Sequence, residues 1–142
     1  MNYQKIRDVK NPTRAHSTDA GIDFFIPKDF KTTVLYPKSS ILIPSGIIME
    51  LPKNNMGLFL NKSGIAAKKS LLLGAQVIDE GFRGEILINL HNIGRKEVVL
   101  KPNMKIVQMI IIPINLEPLT EVLKIGGETE RKTGGFGSSG SF

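Results

Sequence analysis

One short acidic segment contains a carboxylate that could have a functional role. It reads Ile78-Asp79-Glu80-Gly81-Phe82-Arg83-Gly84-Glu85 and lies between two stretches that are typical of β-strands. The glycines favour a turn, so the Asp79 carboxylate would lie at the rim of a hairpin. Most acidic turns are simply solvated surface, and this segment alone does not decide between the two interpretations.

A second segment has the features of a phosphate-binding site. Lys62-Ser63-Gly64 directly precedes a predicted helix over residues 63–73, and the free amides and positive dipole end of a helix start favour an anion. Ser63 is the predicted cap of this helix, and Gly74 is its predicted end. An ordinary helix cap has the same appearance, so this segment is also weak when it is taken alone.

The composition limits the metal chemistry that is available. The chain has no cysteine and two histidines, which excludes a thiolate site and leaves too few ligands for a histidine site. A metal would therefore be a hard ion such as Mg²⁺, bound by carboxylates and by a ligand's phosphates. Asp19 and Asp23 lie four residues apart around Gly21, and an ordinary turn that opens a strand explains this pattern when it is taken alone.

The elements that position these groups are predicted to be short β-strands. Apolar residues follow period-two or continuous patterns bounded by Gly, Pro, Asn and Ser, which predicts roughly eight to ten strands in a sandwich or jelly roll. The β-branched stretch at 106–114 is typical of a central strand. The other predicted strands cover residues 40–43, 47–51, 56–60, 85–90 and 97–100.

The end of the chain differs in composition from the rest. We predict one β-domain over residues 1–125 and a mobile C-terminal arm over residues 126–142, rich in glycine and serine. The arm contains Arg131 and Phe136 among its glycines, a combination that could form a backbone nest for phosphate with one aromatic anchor.

The net charge of +6 suits an anionic partner, either a nucleic acid or a phosphorylated small molecule. Lysine and arginine are scattered and aromatic residues are few, so stable binding of nucleic acid is not expected. No apolar run reaches the length of a membrane span, and the first residues do not resemble an export signal. We therefore expect no membrane association and a cytoplasmic location, or the host-cell cytoplasm for a viral protein.

Taken together and in order, these segments resemble the five motifs of the trimeric dUTPase family. Between Pro12 and Gly140, the resemblance spans almost the whole chain, and five motifs in order are far more specific than any one of them. The motifs are Pro12-Thr-Arg-Ala-His-Ser-Thr-Asp-Ala-Gly-Ile-Asp23, Lys62-Ser-Gly-Ile-Ala66, Gly74-Ala-Gln-Val-Ile-Asp-Glu-Gly-Phe-Arg-Gly-Glu85, Met104-Lys-Ile-Val-Gln108 and Arg131-Lys-Thr-Gly-Gly-Phe-Gly-Ser-Ser-Gly140.

The resemblance implies an all-β, jelly-roll-like dUTPase fold with one short helix and a flexible C-terminal arm. It implies a homotrimer in which three subunits build each active site and hydrolyse dUTP to dUMP and pyrophosphate with Mg²⁺. Asp79 matches the general base, and Asp23 matches the acid that holds waters around a Mg²⁺ chelated by the triphosphate. The residues that match substrate-binding positions are Lys62, Ser63, Gly64, Gln76, Val77, Ile78, Phe82, Gln108, Arg131, Phe136, Gly137 and Ser138.

The chain departs from the family pattern at three of these positions. Lys62 replaces the usual arginine, so the charge is kept but the bidentate hydrogen bonding of a guanidinium group is lost. Phe82 replaces the tyrosine that packs on deoxyribose, and we expect exclusion of a 2′-hydroxyl to survive. Gln76 stands where many members have glycine, within the hairpin from Ala75 to Phe82 whose backbone would read uracil.

Three alternatives have distinct signatures. A dCTP deaminase shares the fold and parts of two motifs, and a glutamate such as Glu85 would be its base, so ammonia release from dCTP would identify it. A regulatory protein with this fold would be expected to lack the base or the arm, and both are present in the sequence. A nucleic-acid-binding domain would give a salt-dependent gel shift with DNA.

Overall fold

The computed structural model describes residues 1–127, 129 and 132. These residues form eleven strands and one helix, numbered here in chain order. The elements are β1 (Asn2–Lys5), β2 (Ile22–Phe25), β3 (Thr33–Leu35), β4 (Ser40–Pro44), β5 (Ile47–Glu50), β6 (Asn55–Asn61), α1 (Ser63–Lys69), β7 (Leu71–Leu73), β8 (Val77–Ile78), β9 (Leu87–Asn92), β10 (Val98–Leu100) and β11 (Lys105–Pro113).

The strands pair antiparallel in two larger and two smaller sheets. One larger sheet has the order β2-β11-β6-β8 and the other has the order β4-β9-β7, while β1 pairs with β5 and β3 with β10. The apolar stretch that predicted a central strand is β11, which is bonded on both sides, to β2 and to β6. The predicted all-β architecture with one short helix is therefore confirmed.

The core joins the two larger sheets. Phe24 of β2 and Phe59 of β6 meet edge to face, with ring centroids 5.0 Å apart and an interplanar angle of 87°. Ile43 of β4 and Ile88 of β9 are fully buried and belong to the same apolar cluster. In β9 and β10, buried residues alternate with more exposed ones, as the period-two patterns predicted.

The predicted helix is shorter than its sequence suggests. It ends at Lys69 rather than near Gly74, and Lys62, not Ser63, occupies the N-cap position. Ser70 takes a left-handed conformation with φ 52° and donates its amide to Ala66, which stops the helix. The next three leucines are β7, because pairing with β9 buries Leu71 and Leu73.

Within the described residues, no helix is long and apolar enough to cross a membrane.

Candidate active site

A buried carboxylate clamped by two lysines anchors the first candidate region. Asp23 lies in β2 opposite Gln108 of β11 and is 3% exposed. Its two carboxylate oxygens accept from different ammonium groups, Oδ1 from Lys62 and Oδ2 from Lys105, the latter at 2.7 Å. Burial alone would raise the pKa of Asp23, but the hydrogen bonds from Lys105 and Lys62 outweigh it and lower this pKa.

This clamp forms one wall of a cavity of about 420 Å³. Gln108 reaches it and donates its Nε2 to the carbonyl of Asn61 at 3.1 Å. Gly21 leaves room for that side chain, because a Cβ at Gly21 would collide with the Gln108 amide. The cavity is lined by Ala15, Asp19, Ala20, Gly21, Asp23, Lys62, Lys105 and Gln108. Ammonium and amide donors in one concave place suit phosphate oxygens.

Ser63 and Gly64 begin α1 directly beside this cavity. Both are exposed, and a Cβ at Gly64 would meet no atom within 4 Å. The carbonyl of Lys62 already accepts the amides of Ile65 and Ala66, each at 2.9 Å. The chain at Ser63 and Gly64 is therefore open to an incoming group, as the phosphate prediction requires.

The possible metal ligands near the phosphate cavity do not form a ready metal-binding site. In the described part of the chain, no three His, Cys, Asp or Glu residues are grouped so that they could hold a metal ion. Each oxygen of Asp23 is already bonded to a lysine, so this carboxylate does not fit direct coordination. It fits a metal only through intervening water, with the remaining ligands supplied by a bound triphosphate.

The second region carries Asp79. It follows β8, whose Val77 and Ile78 pair with Leu58 and Gly57 of β6. Asp79 is exposed, and its carbonyl accepts the Phe82 amide at 3.1 Å, which closes a turn. A carboxylate at an exposed turn is accessible to water and substrate, as a general base must be.

Neighbouring side chains hold this turn in place. Glu80 accepts the backbone amide of Asn54 at 2.6 Å, which ties the turn to the β5–β6 connection. Arg83 donates to the carbonyls of Glu80 at 2.6 Å and Phe82 at 3.0 Å. The Phe82 ring lies over Gly84, where a Cβ would be 2.7 Å from Cζ, and it remains 42% exposed. The ring is thus available to pack on a ligand.

Of the predicted uracil-reading residues, Gln76 lies in the turn between β7 and β8, whereas Val77 and Ile78 form β8 itself. Gln76 accepts the Phe59 amide through its carbonyl at 2.8 Å, and its side-chain Nε2 lies 3.5 Å from the Leu73 carbonyl. Gly74 donates to the carbonyl of Asn89 at 3.0 Å. This turn is close-packed against β9, because a Cβ at Gly74 would lie 2.5 Å from Nε2 of His91.

The two regions do not meet within one chain. Ile78 pairs with Gly57 near the start of β6, whereas Lys62 follows the end of that strand. The five steps along the chain from Gly57 to Lys62 span roughly 16 Å at about 3.3 Å per residue. The strands are antiparallel, so Asp79 lies still further from Lys62. The lining of the phosphate cavity accordingly contains neither Asp79 nor Phe82.

Four predicted site residues, Arg131, Phe136, Gly137 and Ser138, lie outside the described residues. Sequence reasoning in turn gave no role to Lys105 and did not consider Asn61. Lys105 lies within the fourth motif, three residues before Gln108, and a cation at that spacing was the available signal. Asn61 had no signal beyond its position next to Lys62.

Comparison with known proteins identifies the family. The dUTPase family model matches residues 7–140. The deoxyuridine 5'-triphosphate nucleotidohydrolase of Clostridium tetani is 42% identical over 135 residues, which cover 94% of this chain and 90% of that protein. The one from Clostridium kluyveri is 39% identical over 133 residues, covering 92% and 90% respectively.

Solved structures agree with this match. The dUTPase of Staphylococcus bacteriophage 80alpha, solved with dUPNHPP, has a TM-score of 0.85 and 26% identity, with 98% of this chain and 97% of that chain covered. The all-β fold and the matched length agree with these relatives. The chain therefore belongs to the dUTPase family and is a dUTP nucleotidohydrolase.

Proposed function

We propose that this enzyme splits dUTP into dUMP and pyrophosphate by in-line attack of water on the α-phosphorus, at active sites shared between the subunits of a homotrimer. The reaction would keep uracil out of DNA and supply dUMP for thymidylate synthesis. The proposal is supported chiefly by the separation of Asp79 from the phosphate cavity, together with family membership.

The distance between Asp79 and the phosphate cavity bears on whether one active site can be formed by a single chain. A general base must be within about 2.6–3.2 Å of the water whose proton it takes. Ser63 is proposed to bind near the α–β bridging oxygen, which is covalently attached to the phosphorus under attack. Asp79 and Ser63 must therefore approach the same phosphorus, and roughly 16 Å of strand in one chain does not permit this. A second copy must bring its phosphate cavity to Asp79.

The chemical step is a hydrolysis without a covalent intermediate. Asp79 takes a proton from water as the water oxygen bonds to the α-phosphorus. The bond from that phosphorus to the α–β bridging oxygen breaks, and pyrophosphate leaves with the electron pair. Lys62, Ser63, Gly64 and Gln108 orient the triphosphate and stabilise its charge, so the protein contributes mainly positioning and electrostatics.

Mg²⁺ belongs to this proposal as a partner of the triphosphate. When bound, it would neutralise phosphate charge and fix the conformation of the chain of phosphates. Asp23 would contact it through water, and the lysine clamp would keep that carboxylate ionised and in place.

Base and sugar selection are assigned to the hairpin that carries Asp79. The backbone of Gln76, Val77 and Ile78 would read uracil in a slot too narrow for a 5-methyl group. Phe82 would pack on the deoxyribose and leave no room for a 2′-hydroxyl. From a neighbouring subunit, the arm would add four contacts that close the site over the nucleotide. These contacts are assigned to Arg131, Phe136, Gly137 and Ser138.

The test is a substrate panel. Purified protein is mixed separately with dUTP, dTTP, dCTP and UTP in the presence of Mg²⁺, and pyrophosphate release is followed. Strong release from dUTP, with little from the other three, is expected, and the same panel in excess EDTA should be much slower. Release from none of them, or ammonia release from dCTP, would overturn the proposal.

A further inference from the structure

Asn61 contacts both Gln108 of the phosphate cavity and Leu73, which directly precedes the β7–β8 turn. It is the last residue of β6, it directly precedes Lys62, and its backbone pairs with Val107 of β11. Its side chain is half-buried rather than solvated. This position places one polar side chain between the phosphate cavity and the β7–β8 turn.

Asn61 accepts one hydrogen bond from the phosphate cavity and one from the residue that precedes the β7–β8 turn. Its carbonyl accepts Nε2 of Gln108 at 3.1 Å, on the side of the phosphate cavity. Its side-chain Oδ1 accepts the backbone amide of Leu73 at 3.0 Å, on the side of the turn. Leu73 is 7% exposed, so without Asn61 its amide would be left in a place with poor access to water.

The Leu73 bond helps to fix the turn that follows it. Residues 74–76 leave β7 at Leu73, and Gln76 returns to β6 by accepting the Phe59 amide at 2.8 Å. The turn is thus tied to β6 at both ends, once through the backbone of Phe59 and once through the side chain of Asn61. The hydrogen bond from Phe59 joins backbone atoms and can form with any side chain at these positions. The hydrogen bond to Asn61 requires an acceptor in the side chain at position 61.

We propose that Asn61 is a positioning residue for base selection, holding the start of the uracil-reading hairpin against β6. The inference rests on the proposed function, in which the hairpin from Ala75 to Phe82 reads the base. A slot that discriminates through backbone groups depends on where the backbone lies, so a shift of its first turn relaxes the fit.

The proposal predicts a loss of selectivity and not merely a loss of stability. The measured quantity is kcat/KM for dUTP divided by kcat/KM for dCTP, and likewise for dTTP. All three nucleotides carry the same triphosphate, so changes at Gln108 largely cancel in these ratios. Asn61→Ala is expected to lower both ratios by about tenfold or more, because a small displacement of a binding group has effects of that order.

Two further variants separate positioning from general damage. Asn61→Asp keeps an acceptor oxygen for the Leu73 amide and should retain ratios within about threefold of wild type. Asn55→Ala is the matched control at the other end of β6, where Asn55 donates to the Lys53 carbonyl at 2.8 Å. It should leave both ratios unchanged. Asn61→Ser, whose shorter side chain falls short of Leu73, replaces the alanine variant if that one does not fold.

The outcomes are distinguishable from failure of the proposed function. If the wild-type enzyme does not prefer dUTP, the proposed function itself is wrong, and the inference about Asn61 is wrong with it. If the wild type is selective and Asn61→Ala or Asn61→Ser keeps both ratios, Asn61 has no positioning role. Equal loss of selectivity in Asn61→Asp would also overturn the inference. Hydrogen exchange of the Leu73 amide, expected to be faster in the alanine or serine variant alone, is the independent readout.

Discussion

Asp79 and Lys62 lie near opposite ends of the same strand, β6. Asp79 follows Ile78, which pairs with Gly57, while Lys62 directly follows Asn61 at the far end of β6. The intervening strand spans roughly 16 Å. One chain therefore presents the proposed base near one end of β6 and the proposed phosphate-binding groups at the other, and under the proposed mechanism a partner copy would complete each.

The role of Asp79 is tested by Asp79→Ala. Turnover of dUTP should fall by about 10³-fold or more, because the attacking water loses its general base. Binding of dUPNHPP, measured by calorimetry, should remain close to wild type. Asp8→Ala is the matched control, since Asp8 is an exposed aspartate that pairs with Lys28 at 3.0 Å and does not line the phosphate cavity. Wild-type turnover in Asp79→Ala would remove the assignment.

The turn that holds Asp79 is tested by Glu80→Ala. This change removes the acceptor for the Asn54 amide, so the turn loses its tie to the β5–β6 connection. We expect kcat to fall about tenfold through misplacement of the base, with a smaller change in KM. Glu50→Ala, which removes an exposed hydrogen bond from Asn2, should leave kcat unchanged. An unaltered kcat in both variants would show that Glu80 is not needed for positioning.

Six of the eleven strands, β4, β5, β6, β9, β10 and β11, were predicted from sequence, and in several of them burial alternates with the pleat. In β9, for example, Ile88 and Leu90 face the core while Leu87 and His91 face outward. The end of α1 was not predictable in the same way. Local propensity favours helix through the leucines, but pairing of β7 with β9 gives a better burial of Leu71 and Leu73.

The motifs predicted candidate site residues but not how these residues are arranged. Motif order singled out Asp79, Lys62 and Gln108 as candidates, yet it could not indicate that Ile78 pairs with Gly57. Strand register depends on tertiary packing, and β8 is only two residues long. The ion pairs of Asp23 with two lysines could not be predicted from sequence either. Lys105 is distant from Asp23 in sequence and reaches it only because β2 pairs with β11.

The Asp23 clamp predicts an acid-dependent stability. The pKa of Asp23 is lowered in the folded state, whereas the unfolded value is about 3.9. The unfolded chain therefore binds the proton more readily, so the stabilisation is present above about pH 4 and is lost as pH falls through the folded pKa. Urea unfolding of wild type and Asp23→Asn, without nucleotide and in EDTA, measures this difference from pH 7 to pH 3.

The expected result is that Asp23→Asn is less stable at pH 7, because two lysines then face each other without their carboxylate. The difference from wild type should shrink as the pH falls below about 4. Asp8→Asn, whose carboxylate is exposed, should show little difference at any pH. Parallel curves for wild type and Asp23→Asn would contradict the account of the clamp.

The contribution of the arm is tested by deleting residues 126–142. All strands and the helix of the described residues end by Pro113, so the truncated chain should fold and assemble as the full chain does. Turnover of dUTP should drop by about 100-fold, because closure over the nucleotide is lost. Light scattering and pyrophosphate release measure the two effects, and an active truncation would remove the arm from the mechanism.

The most direct test of shared active sites mixes two inactive enzymes. One variant carries Asp79→Ala, and the other carries Ser63→Ala with Gln108→Ala, so each lacks a different half of the site. After joint unfolding and refolding, random trimers should place an intact Asp79 against an intact phosphate cavity at about a quarter of the sites. We predict recovery of dUTP hydrolysis to about that fraction of wild type, whereas no recovery in mixed trimers would contradict the account.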